Sequence, residues 1–187
     1  MSQKDNKKTS NISCFVKWVF ENKEKDHKMR ASFRRALSSV AENQAWPYIA
    51  RFTSLTNDSS REAFLLIGAS ICLDSATENG TLGVGQALFK SWISTKADKM
   101  LVTNNEKVKA NPAEMRLRRL LVCRDSHALC KTLKPILSVI RGKGGEMLDY
   151  EKLLAQVINF DFASEKIKSR WAEEYYEAIY TTKQGKE

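Results

Sequence analysis

The sequence predicts an all-α protein, a two-lobed helical bundle of eight to nine helices. Three observations carry this prediction. Nearly every apolar pattern repeats at the helical period, and none alternates strictly as a half-buried strand does. Only 8 Gly and 3 Pro stand among the 187 residues, too few for the many turns of an all-β fold. Helix-start signals also recur along the chain, polar caps followed by apolar stripes.

The elements follow in order. Ser10 or Ser13 is placed to cap a first helix through about Asn22, with Phe15, Trp18 and Val19 on its buried stripe. The polar lead-in MSQKDNKKTSN has no apolar core, so it is no secretion signal and reads as a frayed basic N-terminus. A second helix spans about Lys25 to Val40, its apolar face formed by Met29, Phe33, Ala36, Leu37 and Val40. Pro47 suits the first turn of a short helix over Trp46–Thr53, where a missing N–H costs nothing. NDSSREAFLLIGASICLDS opens on cap residues and continues as a largely buried helix, about 59–74. The glycine turn of ENGTLGVGQALFKSWIS leads into a helix near Val84 that ends about Ile93.

Residues 94–110 are polar and Lys-rich without periodicity, and read as a linker between lobes 1–103 and 104–187. Asn111-Pro112 is a cap followed by a first-turn proline, starting a helix that ends near Arg124. Asp125 or Ser126 caps the next, which runs to Arg141, stops at Gly142 and should kink before Pro135. Asp149 caps a helix to about Phe160, and Ser164 caps a last one through about Tyr180. On that helix Trp171, Tyr175, Tyr176 and Ile179 are expected to pack in the core or against another subunit.

Charge separates along this frame. The formal net charge is +9, and residues 99–144 alone carry eleven basic and three acidic side chains. Residues 1–50 are net +5, 51–98 net −1 and 145–187 net −3. Such segregation favours an anionic partner. On the helix over 126–141, His127, Lys131, Lys134, Ser138 and Arg141 fall on one face, opposite Leu129, Leu133, Ile136, Leu137 and Ile140. No acid lies on that stripe in sequence. Arg116, Arg118 and Arg119 flank the apolar stripe of the preceding helix, and Arg30, Arg34 and Arg35 that of the second. Solvated faces usually interleave Glu with Lys at four-residue spacing. A face without acids repels itself, and a polyanion relieves that cost. Guanidinium forks match phosphate geometry, so sequence-independent binding to a nucleic-acid backbone is the physical reading.

Other chemistry is weak. Arg141-Gly-Lys-Gly-Gly145 lacks the spacing of a phosphate-binding P-loop and follows a helix, so it reads as a helix stop, with Lys143 within reach of a phosphate. Cys14, Cys72, Cys123 and Cys130 show no paired spacing and read as buried free thiols. Asp149/Glu151 and Glu173/Glu174 read as cap and surface charges. No nucleophile–base pair and no metal-ligand set emerges, no cofactor is implied, and no apolar run spans a bilayer. The expected location is cytoplasmic.

The order of motifs carries a resemblance. RLRRLL (116–121), LKPIL (133–137), RGKG followed by LDYEKLL (148–154), Phe160, and KSRWAEEYY (168–176) succeed one another. With MRASFRRAL (29–37) and GVGQAL (83–88), this succession resembles the CasB family, the small subunit of the type I-E CRISPR surveillance complex Cascade. The resemblance spans about residues 29–180. It implies a non-catalytic, mostly α protein with two copies stacked head to tail beside the backbone and large subunits. It also implies contact with guide RNA and target DNA, holding the displaced strand. The expected nucleic-acid contacts are Arg30, Arg34, Arg35, Arg116, Arg118, Arg119, Lys131, Lys134, Arg141 and Lys143. A second reading is a protein-only scaffold whose basic face binds an acidic partner. A third, an unrecognised nuclease, would need a carboxylate cluster to hold a divalent metal.

Overall fold

The computed structural model describes residues 3–38, 40–93, 111–142 and 148–184. Among them stand nine α-helices, one 3₁₀ turn and no strand, so the all-α prediction holds. The helices are α1 (Gln3–Asn22), α2 (His27–Arg35), α3 (Trp46–Ile49), α4 (Asp58–Leu73), α5 (Val84–Trp92), α6 (Pro112–Leu121), α7 (Ser126–Gly142), α8 (Tyr150–Ile158) and α9 (Phe160–Gln184). The 3₁₀ turn, Glu42–Ala45, leads directly into α3.

Several caps sit where the sequence puts them. The Asn57 side chain accepts from the backbone N–H of Ser60, and Asn111 accepts from Ala113 and Glu114. Asp125, not Ser126, caps α7 by accepting from Ala128 at 2.8 Å. Asp149 accepts from Lys152 and opens α8. Each satisfies donors that a helix start leaves without partners. α7 continues through Pro135.

Several expectations fail, among them the end of α3, which stops at Ile49 and not at Thr53. α1 begins at Gln3 rather than at Ser10 or Ser13, because no Gly or Pro interrupts the preceding run. α2 ends at Arg35, where Ala36 and Leu37 turn away, and this leaves Val40 90% exposed instead of on a buried face. Cys14 is exposed, since it falls beside the buried stripe of Phe15, Val16 and Val19, whereas the other three thiols are buried. The final helix bends at Ala163 (φ −135°, ψ 27°), immediately before the expected cap Ser164. No capping bond from Ser164 is present among the described residues. The segment 94–110 and Lys143 with its glycine turn lie outside the described residues.

One continuous set of buried apolar side chains joins helices from both sides of that segment. α4 lies at its centre and packs against α1, α2, α7 and α8, which is why it is apolar on almost every face. α5 lies along α9 in the most extensive helix pair. Gly85 permits this approach: a Cβ there would stand 2.0 Å from the Trp171 carbonyl oxygen. Glu174 then reaches across, accepting from the Gly85 N–H at 3.3 Å and from Lys152 Nζ at 2.6 Å. It caps α5 from another helix, a more specific role than a surface charge.

A second seam ties the end of α4 and the start of α8 to the loop before α5. Leu82 and Leu148 form an isolated parallel bridge, and the Asn79 side chain donates to Asp149 and accepts from the Tyr150 N–H. The Tyr150 hydroxyl donates to Asp74 at 2.6 Å. Buried Lys23 donates to the carbonyls of Ile71, Asp74 and Ala76, closing the C-terminal end of α4. Among the described residues, no helix is long and apolar enough to cross a membrane.

Candidate nucleic-acid interface

Lys143 apart, the basic residues marked by the sequence occupy three helices, and the fold sorts them. α7 buries Leu129, Leu133, Ile136, Leu137 and Ile140, so Lys131 and Lys134 are turned outward by helical geometry. Lys134 Nζ donates to the Leu37 carbonyl at 2.5 Å, across 97 residues of sequence. That contact brings the middle of the α7 stripe against the end of α2, two residues beyond Arg35. Arg34 and Arg35 are exposed there, and Arg35 donates to Gln44 Oε1 at a long 3.4 Å. Arg34 and Lys131 form no hydrogen bond or ion pair among the described residues. The Lys134 contact therefore ties the centre of α7 to the chain just beyond α2, whose last two residues are the exposed Arg34 and Arg35.

The other members of the set are used differently. Arg30 donates through Nε to the Cys72 carbonyl at 3.2 Å and pairs with Glu24 at 2.9 Å, so it fastens α2 to α4. On α6, Arg118 pairs with Glu114 one turn back, while Arg116 and Arg119 have no side-chain partner among the described residues. No hydrogen bond or ion pair there joins these arginines to the α7 stripe. Arg141 is half-buried and lies against the Tyr150 hydroxyl, where its charge opposes the upward push of burial and of Asp74 on the Tyr150 pKa. It lies about 15 Å along the helix from Lys131. His127, at the other end of the stripe, meets both oxygens of Glu62 at 2.8 Å. The stripe that is free of acids in sequence is thus countered at one end by α4 and anchored at the other by α8.

Chemically, the arrangement offers cations. Among the described residues no three His, Cys, Asp or Glu side chains gather as a metal site. Cys72 and Cys130 are pushed up to about 12 by burial, which makes them poor nucleophiles near neutrality. Sequence reading passes over Arg51, whose exposed guanidinium lies 4.2 Å from the Trp18 ring and 4.6 Å from the Phe52 ring. Trp18 is 33 residues away, so only an aromatic on the neighbouring position, Phe52, hinted at it.

The comparisons agree with this architecture. A crystal structure of a Cse2-family CRISPR-associated protein from Thermus thermophilus is 21% identical, with a TM-score of 0.66 over 89% of this chain and 97% of that one. M. ruber CasB is 14% identical, with a TM-score of 0.69 over 95% and 98%. A chain of a CRISPR RNA-guided surveillance complex is 16% identical, with a TM-score of 0.72 over 96% and 99%. At these identities the likeness is one of fold. No curated protein matches the sequence. The family model of CRISPR-associated protein Cse2 matches residues 29–176, and on that match, which takes in most of the chain, this protein belongs to the Cse2 (CasB) family.

Proposed function

We propose that this chain is a non-catalytic structural subunit of a type I-E CRISPR surveillance complex. In that role it steadies guide–target pairing and the displaced DNA strand through a basic helical surface. The observation that supports the reading is the contact of Lys134 with the Leu37 carbonyl, which joins the exposed α7 stripe to the chain two residues beyond the exposed Arg35. Like charges gathered on one surface repel, and phosphates relieve the repulsion while releasing their counterions. Base pairing with the guide reads sequence, and this surface supplies backbone contacts alone. Family membership supports the assignment to a complex, as does the similarity to a chain of a surveillance complex. The partners are guide RNA and target DNA, the backbone and large subunits, and a second copy of the chain, in the cytoplasm. Arg116, Arg118 and Arg119 on α6, with Arg141, extend the surface, Arg30 orients α2 beneath it, and Lys143 is a further phosphate contact on the strength of the sequence alone.

The experiment reconstitutes the complex with wild-type protein or with Arg34, Arg35, Lys131 and Lys134 all changed to Glu. It measures assembly by size exclusion and exposure of the displaced strand by permanganate. We expect assembly to persist while the displaced strand becomes more reactive. Loss of assembly with unchanged reactivity in whatever complex forms would instead support a protein-only scaffold with an acidic partner.

A further inference from the structure

A second feature lies on α1 and beside α3, elements that supply none of the phosphate contacts above. Trp18 and Tyr48 stack at 6.4 Å with 26° between their planes, and Phe52 tilts against Trp18 at 5.7 Å. All three rings are half-buried on the core, and Asn11 donates to the Phe52 carbonyl at 3.3 Å, holding the turn after α3 against α1. Arg51 lays its guanidinium over both Trp18 and Phe52. The guanidinium has no carboxylate and no hydrogen-bond acceptor among the described residues.

Arg61 provides the contrast. It too lies over a ring, Trp46 at 5.6 Å, yet it is taken up by Glu42, Asp58 and the Leu55 carbonyl. Arg61 is a structural cation. Arg51 is closer to its rings and is an exposed residue. Cation–π contact fixes the plane of that side chain and reduces the rotamer freedom a ligand would otherwise have to freeze. An exposed guanidinium held over aromatic rings is a platform for a flat π-system bearing negative charge nearby. Unpaired nucleotides combine those two properties.

We propose that Arg51, held on Trp18 and Phe52, stacks an unpaired base of single-stranded nucleic acid. The site rests on the reading that this chain binds nucleic acid, but it differs in kind, since it recognises a base rather than a phosphate. Stacking depends on a base and little on salt, so it separates from the α2–α7 surface by experiment.

The test uses the full chain with two 12-mers, oligo(dT) and an abasic strand of the same length and charge. Affinities are measured at one salt concentration for wild type, Arg51→Lys and Arg51→Gln. Wild type should favour oligo(dT) by at least about fivefold, the lower end of stacking by one base. Arg51→Lys keeps the charge and loses the plane, so it should bring the ratio near one while affinity for the abasic strand holds. A wild-type ratio near one, or an unchanged ratio in Arg51→Lys, overturns the stacking site and leaves the phosphate surface standing. Binding of neither strand by wild type overturns both. Equal melting temperatures of wild type and Arg51→Lys serve as the folding control.

Discussion

Replacing Gly85 by alanine tests the packing that positions the helices. In an unobstructed helix this change stabilises a protein by about 0.4–1 kcal/mol, because it restricts the unfolded chain. Here the new Cβ would meet the Trp171 carbonyl oxygen at 2.0 Å, the Tyr175 nitrogen at 2.8 Å and Glu174 Cβ at 3.0 Å. The first two are backbone atoms of α9 and cannot rotate aside. α5 must retreat by about 1 Å or more in a close-packed interior, which also weakens the Glu174 cap on Gly85. Overpacking of this kind costs about 1–3 kcal/mol, and a clash with backbone belongs at the upper end. For a chain of this size, about 3 kcal/mol lowers the melting temperature by about 6–12 °C. Gly142→Ala is the control, since a Cβ there meets nothing within 4 Å. Thermal melts followed by circular dichroism should move in opposite directions for the two variants. A Gly85→Ala protein that melts at or above the wild-type temperature would refute the close approach of α5 and α9.

Other predictions follow from named contacts. Lys23→Met removes the donor from three carbonyls at the end of α4 and should cost about 3 kcal/mol in urea unfolding; a loss below about 0.5 kcal/mol would deny it that role. The buried thiols of Cys72 and Cys130 ionise near 9 when unfolded and at about 12 when folded. Their contribution to stability is therefore complete below pH 9 and declines as pH rises toward 12, by about 2.7 kcal/mol per pH unit for the pair. The Cys72→Ala/Cys130→Ala variant should lose stability less steeply between pH 8 and pH 10.5, and an identical slope would contradict the burial. A thiol reagent should modify Cys14 alone in the native protein, and rapid reaction of the other three would contradict it too. Co-expressed fragments 1–103 and 104–187 should elute together, because α5 packs on α9 and α4 on α7; separate folded fragments would mean independent lobes.

The sequence is most legible where the physics is local. Asn57, Asn111 and Asp149 announce their helices because a cap acts within three residues, and Pro112 adds a first-turn signal. The apolar face of α7 is readable for the same reason, since one helix period determines which side chains point inward. Val40 misleads because the apolar period continues past the point where the chain turns after Arg35. The candidate surface is less legible because its pairings are long-range. His127 and Glu62 are 65 residues apart, and Lys134 and the Leu37 carbonyl 97. Residue types name Arg30 and Arg34 alike, yet only the fold distinguishes a cation fastened to Glu24 and Cys72 from one left free among the described residues. Glu174 likewise looks like one of two adjacent surface acids until α9 lies against α5.

The most direct test of the central claim is the salt dependence of single-stranded DNA binding by the purified chain. It compares wild type with a variant carrying Gln at Arg34, Arg35, Lys131 and Lys134. Each phosphate contact contributes about 0.7 to the slope of log affinity against log salt. The account predicts a steep wild-type slope and a decrease of about 2 to 3 in the variant, with unchanged helicity. Equal slopes in the two proteins would contradict it, and the surface of α2 and α7 would then not be where phosphates bind.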